Sequence, residues 1–126
     1  MISIAVCDDN EITAQEISEK VKQCCPIEAE VSVFYHIKDI LFSIHNENKL
    51  FDIIFMDPPY HLDLEERIVP YLLQSSLVKV GSLIIVETAL DTDVDYMYEL
   101  GCEVERIKEY KTNRHVFLRV SSETEA

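Results

Sequence analysis

The chain has 126 residues, 24 of them acidic and 11 of them Lys or Arg, so its formal net charge is −13. This length suits one α/β domain, and the hydrophobic content of 48% suffices for one buried core. The acidic balance argues against nucleic-acid binding by this chain alone, because such binding depends on Lys and Arg displacing counterions from phosphates. The sequence has neither a bilayer-spanning apolar run nor a cleavable leader pattern, so we expect a cytoplasmic protein without membrane contact.

The four cysteines form no metal-binding pattern. Cys7, Cys24, Cys25 and Cys102 lack CxxC spacing and have no histidine at the spacing of a zinc site. We therefore expect buried free thiols, as in a reducing cytosol. The four histidines are scattered along the chain, and we assign none of them a ligand role.

A strand and a helix open the chain. Residues 2–7 (ISIAVC) predict a buried parallel strand that is followed by Asp8, Asp9 and Asn10. Asn10 can cap the next helix, which Pro26 ends. The apolar face of that helix consists of Ala14, Ile17, Val21 and Cys24.

The strand–helix alternation continues to the middle of the chain. Residues 29–35 are rich in β-branched and aromatic types and predict a second strand. Apolar residues at helical spacing predict a second amphipathic helix over residues 37–44. Residues 51–56 (FDIIFM) predict the most apolar strand, and Asp57 follows directly at its end.

The second half begins with Pro58-Pro59-Tyr60, a stiff extended loop. A helix is predicted over residues 63–78, and Pro70 should kink or restart it because proline lacks the N–H that residue 66 would accept. Residues 82–87 (SLIIVE) predict a fourth strand, and residues 94–100 predict a short helix.

The last predicted elements are two strand-like runs over residues 102–109 and 114–120, which predict an antiparallel pair.

We expect one α/β domain over the whole chain: a three-layer sandwich, flavodoxin-like or Rossmann-like, with about five parallel strands and a C-terminal antiparallel strand. Ligands of such sheets bind at the carboxyl ends of the strands. Asp8, Asp9 and Asp57 occupy such ends and should meet in space.

The first 57 residues, with the segments IAVCDDN and FDIIFMD, resemble a response-regulator receiver domain of the LytTR-associated type. The resemblance implies that Asp8 and Asp9 bind Mg²⁺ together with Asp57, and that Asp57 accepts a phosphoryl group. It assigns Thr88 and Lys108 to the phosphoryl oxygens. A carboxylate can attack phosphorus, and Mg²⁺ takes carboxylate and phosphate oxygens together. The partner would be a histidine kinase or a small phosphodonor.

From residue 51 onward the chain resembles the C-terminal half of RsmD-type methyltransferases, in FDIIFMDPPY, GSLIIVETAL and EYKTNRHVFLRV. These enzymes methylate a guanine exocyclic amine of small-subunit ribosomal RNA with S-adenosylmethionine. The resemblance implies that Asp57 and the Pro58 carbonyl accept hydrogen bonds from the amine. Tyr60, which follows Pro59 in the same loop, would stack on the base.

Two resemblances in one chain indicate a chimera, with a receiver-like half over residues 1–57 and a methyltransferase-like half over residues 51–126. A methyltransferase also needs a glycine-rich turn for its cofactor, and Gly81 and Gly101 are the only glycines. We therefore expect Mg²⁺ rather than S-adenosylmethionine, and whether the chain is an enzyme stays open.

The leading hypothesis is a receiver-like signalling module with a magnesium site and phosphoryl acceptance at Asp57. The alternative is a catalytically inactive fragment or chimera of an RNA (guanine-N2) methyltransferase. Two features count against the receiver-like hypothesis. Pro58 and Pro59 remove backbone donors beside Asp57, and Lys108 would lie one strand farther away if residues 114–120 inserted before residues 102–109.

Overall fold

Six strands, two helices and a 3-10 helix make up the part of the chain that the computed structural model describes, which is residues 2–24, 28–36, 39, 50–57, 64–100 and 102–121. The strands are β1 (Ile2–Asp8), β2 (Ala29–Phe34), β3 (Ile53–Asp57), β4 (Leu83–Ala89), β5 (Cys102–Glu109) and β6 (Asn113–Val120). The helices are α1 (Glu11–Cys24), α2 (Leu64–Leu73) and the 3-10 helix (Asp95–Glu99).

The strands form one sheet in the order β2-β1-β3-β4-β6-β5. The ladders that join β2, β1, β3 and β4 are parallel, whereas β6 pairs antiparallel with both β4 and β5. After β1 the chain moves to β2 on one side and then returns to β3 on the other side. The strand order therefore reverses between β1 and β3, and in open α/β sheets this reversal marks the ligand crevice.

Helix α1 covers one side of the sheet, which we call the α1 face. Ala14 of α1 packs with Ile4 and Val6 of β1, and Ile53 and Phe55 of β3 pack against this cluster. Asn10 caps the helix as predicted, because the backbone N–H of Thr13 donates to its side-chain oxygen at 3.0 Å.

The larger core lies on the opposite side, the α2 face. Val69 and Leu72 of α2 are fully buried, in one cluster with apolar residues of the four central strands. The strand residues of this cluster are Ala5, Cys7, Ile54, Met56, Ile84, Val86, Val116, Leu118 and Val120. Helices on both faces confirm the α/β class that the sequence predicts.

Several local predictions need correction. Five strands, β1 to β5, run in the same direction and β6 runs opposite to them, as predicted, although β6 lies between β4 and β5 and so separates β5 from the parallel ladders. Pro70 lies inside α2 without ending it, although the helix stops at Leu73 and not at residue 78. The Cys24 thiol is exposed, while Cys7 is buried. The helix predicted over residues 37–44 lies outside the described residues, apart from residue 39.

Among the described residues, no helix combines the length and the apolar character that crossing a membrane requires.

Candidate acidic site at the strand switch point

Asp8 and Asp57 lie side by side at the point where the strand order reverses. They end β1 and β3, and the parallel register pairs Asp8 directly with Asp57. Both follow runs of apolar residues whose burial fixes the register of the two strands. Of the three carboxylates predicted to meet, Asp8 and Asp57 are therefore confirmed as neighbours.

Asp8 is buried more completely than a carboxyl group usually is, with 2% of its surface exposed. Its Oδ1 atom accepts a hydrogen bond of 2.9 Å from the backbone N–H of Asn10. Its Oδ2 atom is buried and has no hydrogen-bond donor. Burial raises the pKa of Asp8 above its usual value, against the opposing effect of the Asn10 N–H. An unpartnered buried oxygen of this kind is suited to a hydrogen-bond donor or a cation from a ligand.

Asp57 has the most perturbed carboxyl group of the site. Burial, followed by the negative charges of Glu87 and Asp8, raises its pKa to about 8. Asp57 therefore carries a proton at neutral pH unless a positive charge comes close.

Glu87 and His115 extend the site along the same face of the sheet. Glu87 of β4 lies opposite His115 of β6, and Glu87 Oε1 is 3.2 Å from His115 Nε2. The His115 ring contacts the rings of Phe55 and Tyr110, at centroid distances of 5.5 and 4.8 Å. Sequence reasoning missed both residues, although Glu87 ends the strand predicted over residues 82–87 and could have been compared with Asp8 and Asp57.

Thr88 does not join Asp57, contrary to the role implied by the receiver resemblance. Met56 pairs with Val86 in the β3–β4 ladder, so the next residue, Glu87, stands beside Asp57. Alternation along β4 directs Thr88 to the α2 face, where it is buried and its hydroxyl donates to the carbonyl of Ala89 at 3.1 Å.

Lys108 also lies away from Asp57. It is on β5, and both β4 and β6 separate that strand from β3. Three strand spacings correspond to about 14 Å. Its ammonium group lies instead over the ring of Tyr110, 5.2 Å from the centroid. The conditional prediction that β6 displaces Lys108 from Asp57 is confirmed.

The remaining predicted site residues divide into two groups. Asp9 is exposed beyond the end of β1. Pro58, Pro59 and Tyr60 lie outside the described residues. Across the described ranges, no group of three or more His, Cys, Asp or Glu side chains is arranged to hold a metal ion, so nothing in this geometry supports the magnesium site expected from the sequence.

Solved structures show what kind of fold this is. Over 95% of this chain and 73% of the other, the fold matches a Haemophilus influenzae protein described as a methylase, with a TM-score of 0.62 and 18% identity. A release-factor-specific protein-(glutamine-N5) methyltransferase from Alicyclobacillus acidocaldarius matches over 96% of this chain and 80% of its own, with a TM-score of 0.56 and 13% identity. The fold is Rossmann-like.

Two curated relatives match at higher identity over shorter stretches. An uncharacterized methylase of Rickettsia prowazekii is 36% identical over 75 residues, which are 60% of this chain and 31% of the relative. The ribosomal RNA small subunit methyltransferase D of Haemophilus influenzae is 42% identical over 41 residues, which are 32% of this chain and 21% of the relative. The matches thus span less than a third of either relative.

One family accounts for both halves of the sequence. The sequence model of the family described as conserved hypothetical protein 95 matches residues 1–120. This match overturns the receiver-like signalling function and the division into two families, because the first 57 residues belong to the same family as the rest. The chain is a member of the family described as conserved hypothetical protein 95, and its two curated relatives are a methylase and a methyltransferase.

Proposed function

We propose that this chain forms the reactive part of an S-adenosylmethionine-dependent methyltransferase that modifies an amine. One observation carries the proposal: Asp8 and Asp57 are adjacent at the strand switch point, and the pKa of Asp57 is raised to about 8. Ionisation of both carboxyls, with Glu87 beside them, is unfavourable without a positive charge. S-adenosylmethionine supplies a positively charged sulfur with a transferable methyl group.

The residues at the switch point suit this cofactor in charge and in hydrogen bonding. The unpartnered Asp8 Oδ2 can accept a hydrogen bond from a hydroxyl or amino group. The turn between β1 and α1 contains Asp9 and Asn10 and no glycine. Contacts here would therefore come from carboxylate side chains, and not from the bare backbone of a glycine-rich turn.

Asp57 would position the amine. A positive charge bound beside Asp57 lowers the pKa of this carboxyl, so Asp57 becomes an ionised hydrogen-bond acceptor when the site is loaded. Two accepted hydrogen bonds would direct the nitrogen lone pair toward the methyl group, and Asp57 can take the proton that the nitrogen loses. By its resemblance to the methyltransferase loop, the Pro58 carbonyl would be the second acceptor and Tyr60 a stacking surface. The acceptor we propose is a guanine amine of ribosomal RNA.

Calorimetric titration with S-adenosylmethionine tests the proposal. Asp8→Asn should weaken binding about 10- to 100-fold, the effect of losing a hydrogen bond to a charged group. The exposed Glu99→Gln carries the same charge change and should bind as the wild type does. Binding should also tighten as the pH rises through about 8 and should release a proton from Asp57 below that pH.

Transfer of a radiolabelled methyl group to RNA tests the chemical step. Asp57→Asn should abolish transfer while S-adenosylmethionine still binds. Unaltered binding by Asp8→Asn, or no binding by the wild type at millimolar cofactor, would refute the proposal.

A further inference from the structure

The positive charges of this acidic chain are concentrated on its last two strands. Residues 102–120 contain five of the 11 Lys and Arg residues but only three of the 24 acidic residues. The net charge of −13 therefore describes the molecule as a whole and not the β5–β6 hairpin, which has a net positive charge.

Part of this hairpin combines cations with aromatic rings on the α1 face. The cation–aromatic face consists of Arg106, Lys108, Tyr110, His115 and Phe117. In the β5–β6 ladder Arg106 pairs with Phe117 and Lys108 pairs with His115. The guanidinium of Arg106 lies 6.0 Å from the centre of the Phe117 ring, and the Lys108 ammonium lies 5.2 Å from that of Tyr110.

Three of the five members of this face are exposed, and His115 and Phe117 are half-buried. Arg106 and Lys108 are exposed, and Tyr110 is 42% exposed. No acidic side chain is opposite either cation in the ladder, whereas Arg119 is held by Glu105 at 2.9 Å. Arg106 and Lys108 are therefore placed to meet an anion from outside the chain.

The cation–aromatic face continues directly from the acidic site. Asp57, Glu87, His115 and Lys108 lie in one row across β3, β4, β6 and β5. The row changes from negative to positive over about 14 Å, with the rings of His115 and Tyr110 between the two ends. A matching ligand would place an amine at one end, a planar ring in the middle and an anion at the other end.

We propose that the cation–aromatic face is a docking surface for single-stranded polynucleotide. Stacking on Tyr110 and His115 and phosphate contacts with Lys108 and Arg106 are the two interactions by which such strands bind. An acidic peptide would match the cations but would leave the rings without a stacking partner. The orientation of the strand toward Asp57 rests on the proposed methyl transfer, but the docking itself does not.

Fluorescence anisotropy with a labelled, unstructured RNA of about 12 nucleotides tests the docking, at low salt and without cofactor. Lys108→Gln and Arg106→Gln should each weaken binding and lower the slope of log K against log salt by about 0.7. Lys22→Gln, on the exposed side of α1, is the matched control and should leave the slope unchanged.

A second pair of variants tests the aromatic contribution. Tyr110→Leu should weaken binding at least about fivefold through lost stacking. Tyr98→Leu, which removes a more exposed ring from the 3-10 helix, should have no such effect. Circular dichroism confirms that each variant is folded.

Three results would overturn the proposal: no RNA binding at low salt, equal effects of Lys108→Gln and Lys22→Gln, or equally strong binding of poly-glutamate. The assay contains no S-adenosylmethionine, so failure of methyl transfer leaves its outcome unaffected. Conversely, loss of RNA docking with intact cofactor binding would refute the docking surface alone.

Discussion

A shift of one position along β4 decides which side chain lies beside Asp57. The receiver resemblance put the Thr88 hydroxyl beside this carboxyl, but the β3–β4 register puts the Glu87 carboxylate there instead. Burial is the main reason why the pKa of Asp57 is raised to about 8, and the Glu87 charge raises it further, whereas a hydroxyl in that position would have added no negative charge. Strand ends can be read from sequence to within a residue or two, and a one-residue shift exchanges the two faces of the sheet. For this reason the sequence predicted the meeting of Asp8 and Asp57 but missed Glu87.

The raised pKa of Asp57 predicts how stability depends on pH. The folded state holds the Asp57 proton up to about pH 8, whereas the unfolded chain releases it near the usual aspartate pKa of 3.8. The free energy of unfolding should therefore fall as the pH rises between these values, by up to about 1.4 kcal/mol per pH unit from this group, and less because water partly reaches it.

Urea unfolding of Asp57→Asn at a series of pH values measures this contribution. The free energy of unfolding of the variant should fall much less with rising pH than that of the wild type. The variant should therefore become more stable relative to the wild type toward pH 8. Glu99→Gln removes an exposed carboxylate and serves as the control. Parallel pH profiles for wild type and Asp57→Asn would contradict the assignment.

Strand β6 is the element that distinguishes this sheet from the predicted one. Its sequence predicts a strand, and its hairpin with β5 is apparent from the turn between them. The local sequence pattern does not specify where β6 lies in the sheet, because any neighbouring strand with an apolar face would satisfy the alternation of buried residues in β6. The ladder with β4, from Leu83 to Ala89, decides the position, and it depends on contacts far apart in the chain.

Truncation of Leu118 tests how much β6 contributes to the stability of the core. It is fully buried on the α2 face, opposite Ile84 in the ladder. Leu118→Ala should lower the free energy of unfolding by about 2–5 kcal/mol, through lost burial and the cavity that remains. Chemical denaturation followed by circular dichroism gives the value.

Ile107 is the matched control on the neighbouring strand. It is 36% exposed, so Ile107→Ala should cost much less than Leu118→Ala. Equal losses for the two variants would mean that β6 is not part of the main core.

At the scale of the whole molecule, the first half was assigned to the wrong family for a physical reason. The first half contains a short apolar strand that ends in carboxylates, then a helix, a strand and a second strand with an acidic end. This pattern is compatible with any parallel sheet that has an acidic crevice. The α/β class and the acidic edge could therefore be predicted, because both follow from these local patterns. The methyltransferase resemblance of the second half could also be predicted, from FDIIFMDPPY and the segments after it, and the comparisons support it. The family of the first half could not, because its pattern of strands and carboxylates is shared by unrelated parallel sheets.

The net charge of −13 makes a prediction for the whole molecule. Mutual repulsion of the acidic residues opposes the compact state, and salt screens it as the Debye length falls from about 30 Å at 0.01 M to about 10 Å at 0.1 M. The urea midpoint should therefore rise with added NaCl over this range. Sucrose at equal osmolality controls for general solute effects, and a midpoint independent of NaCl would show that the charges are too dispersed to matter.

The position of β6 between β4 and β5 has a consequence for the order in which the sheet can assemble. Until β6 joins the sheet, β5 has no ladder partner and the hydrogen-bonding edge of β4 is open. An open strand edge can pair with another chain until its own partner arrives. The sheet is completed only when β6 fills the gap, so molecules in which β6 has not yet docked should be the ones that aggregate during refolding.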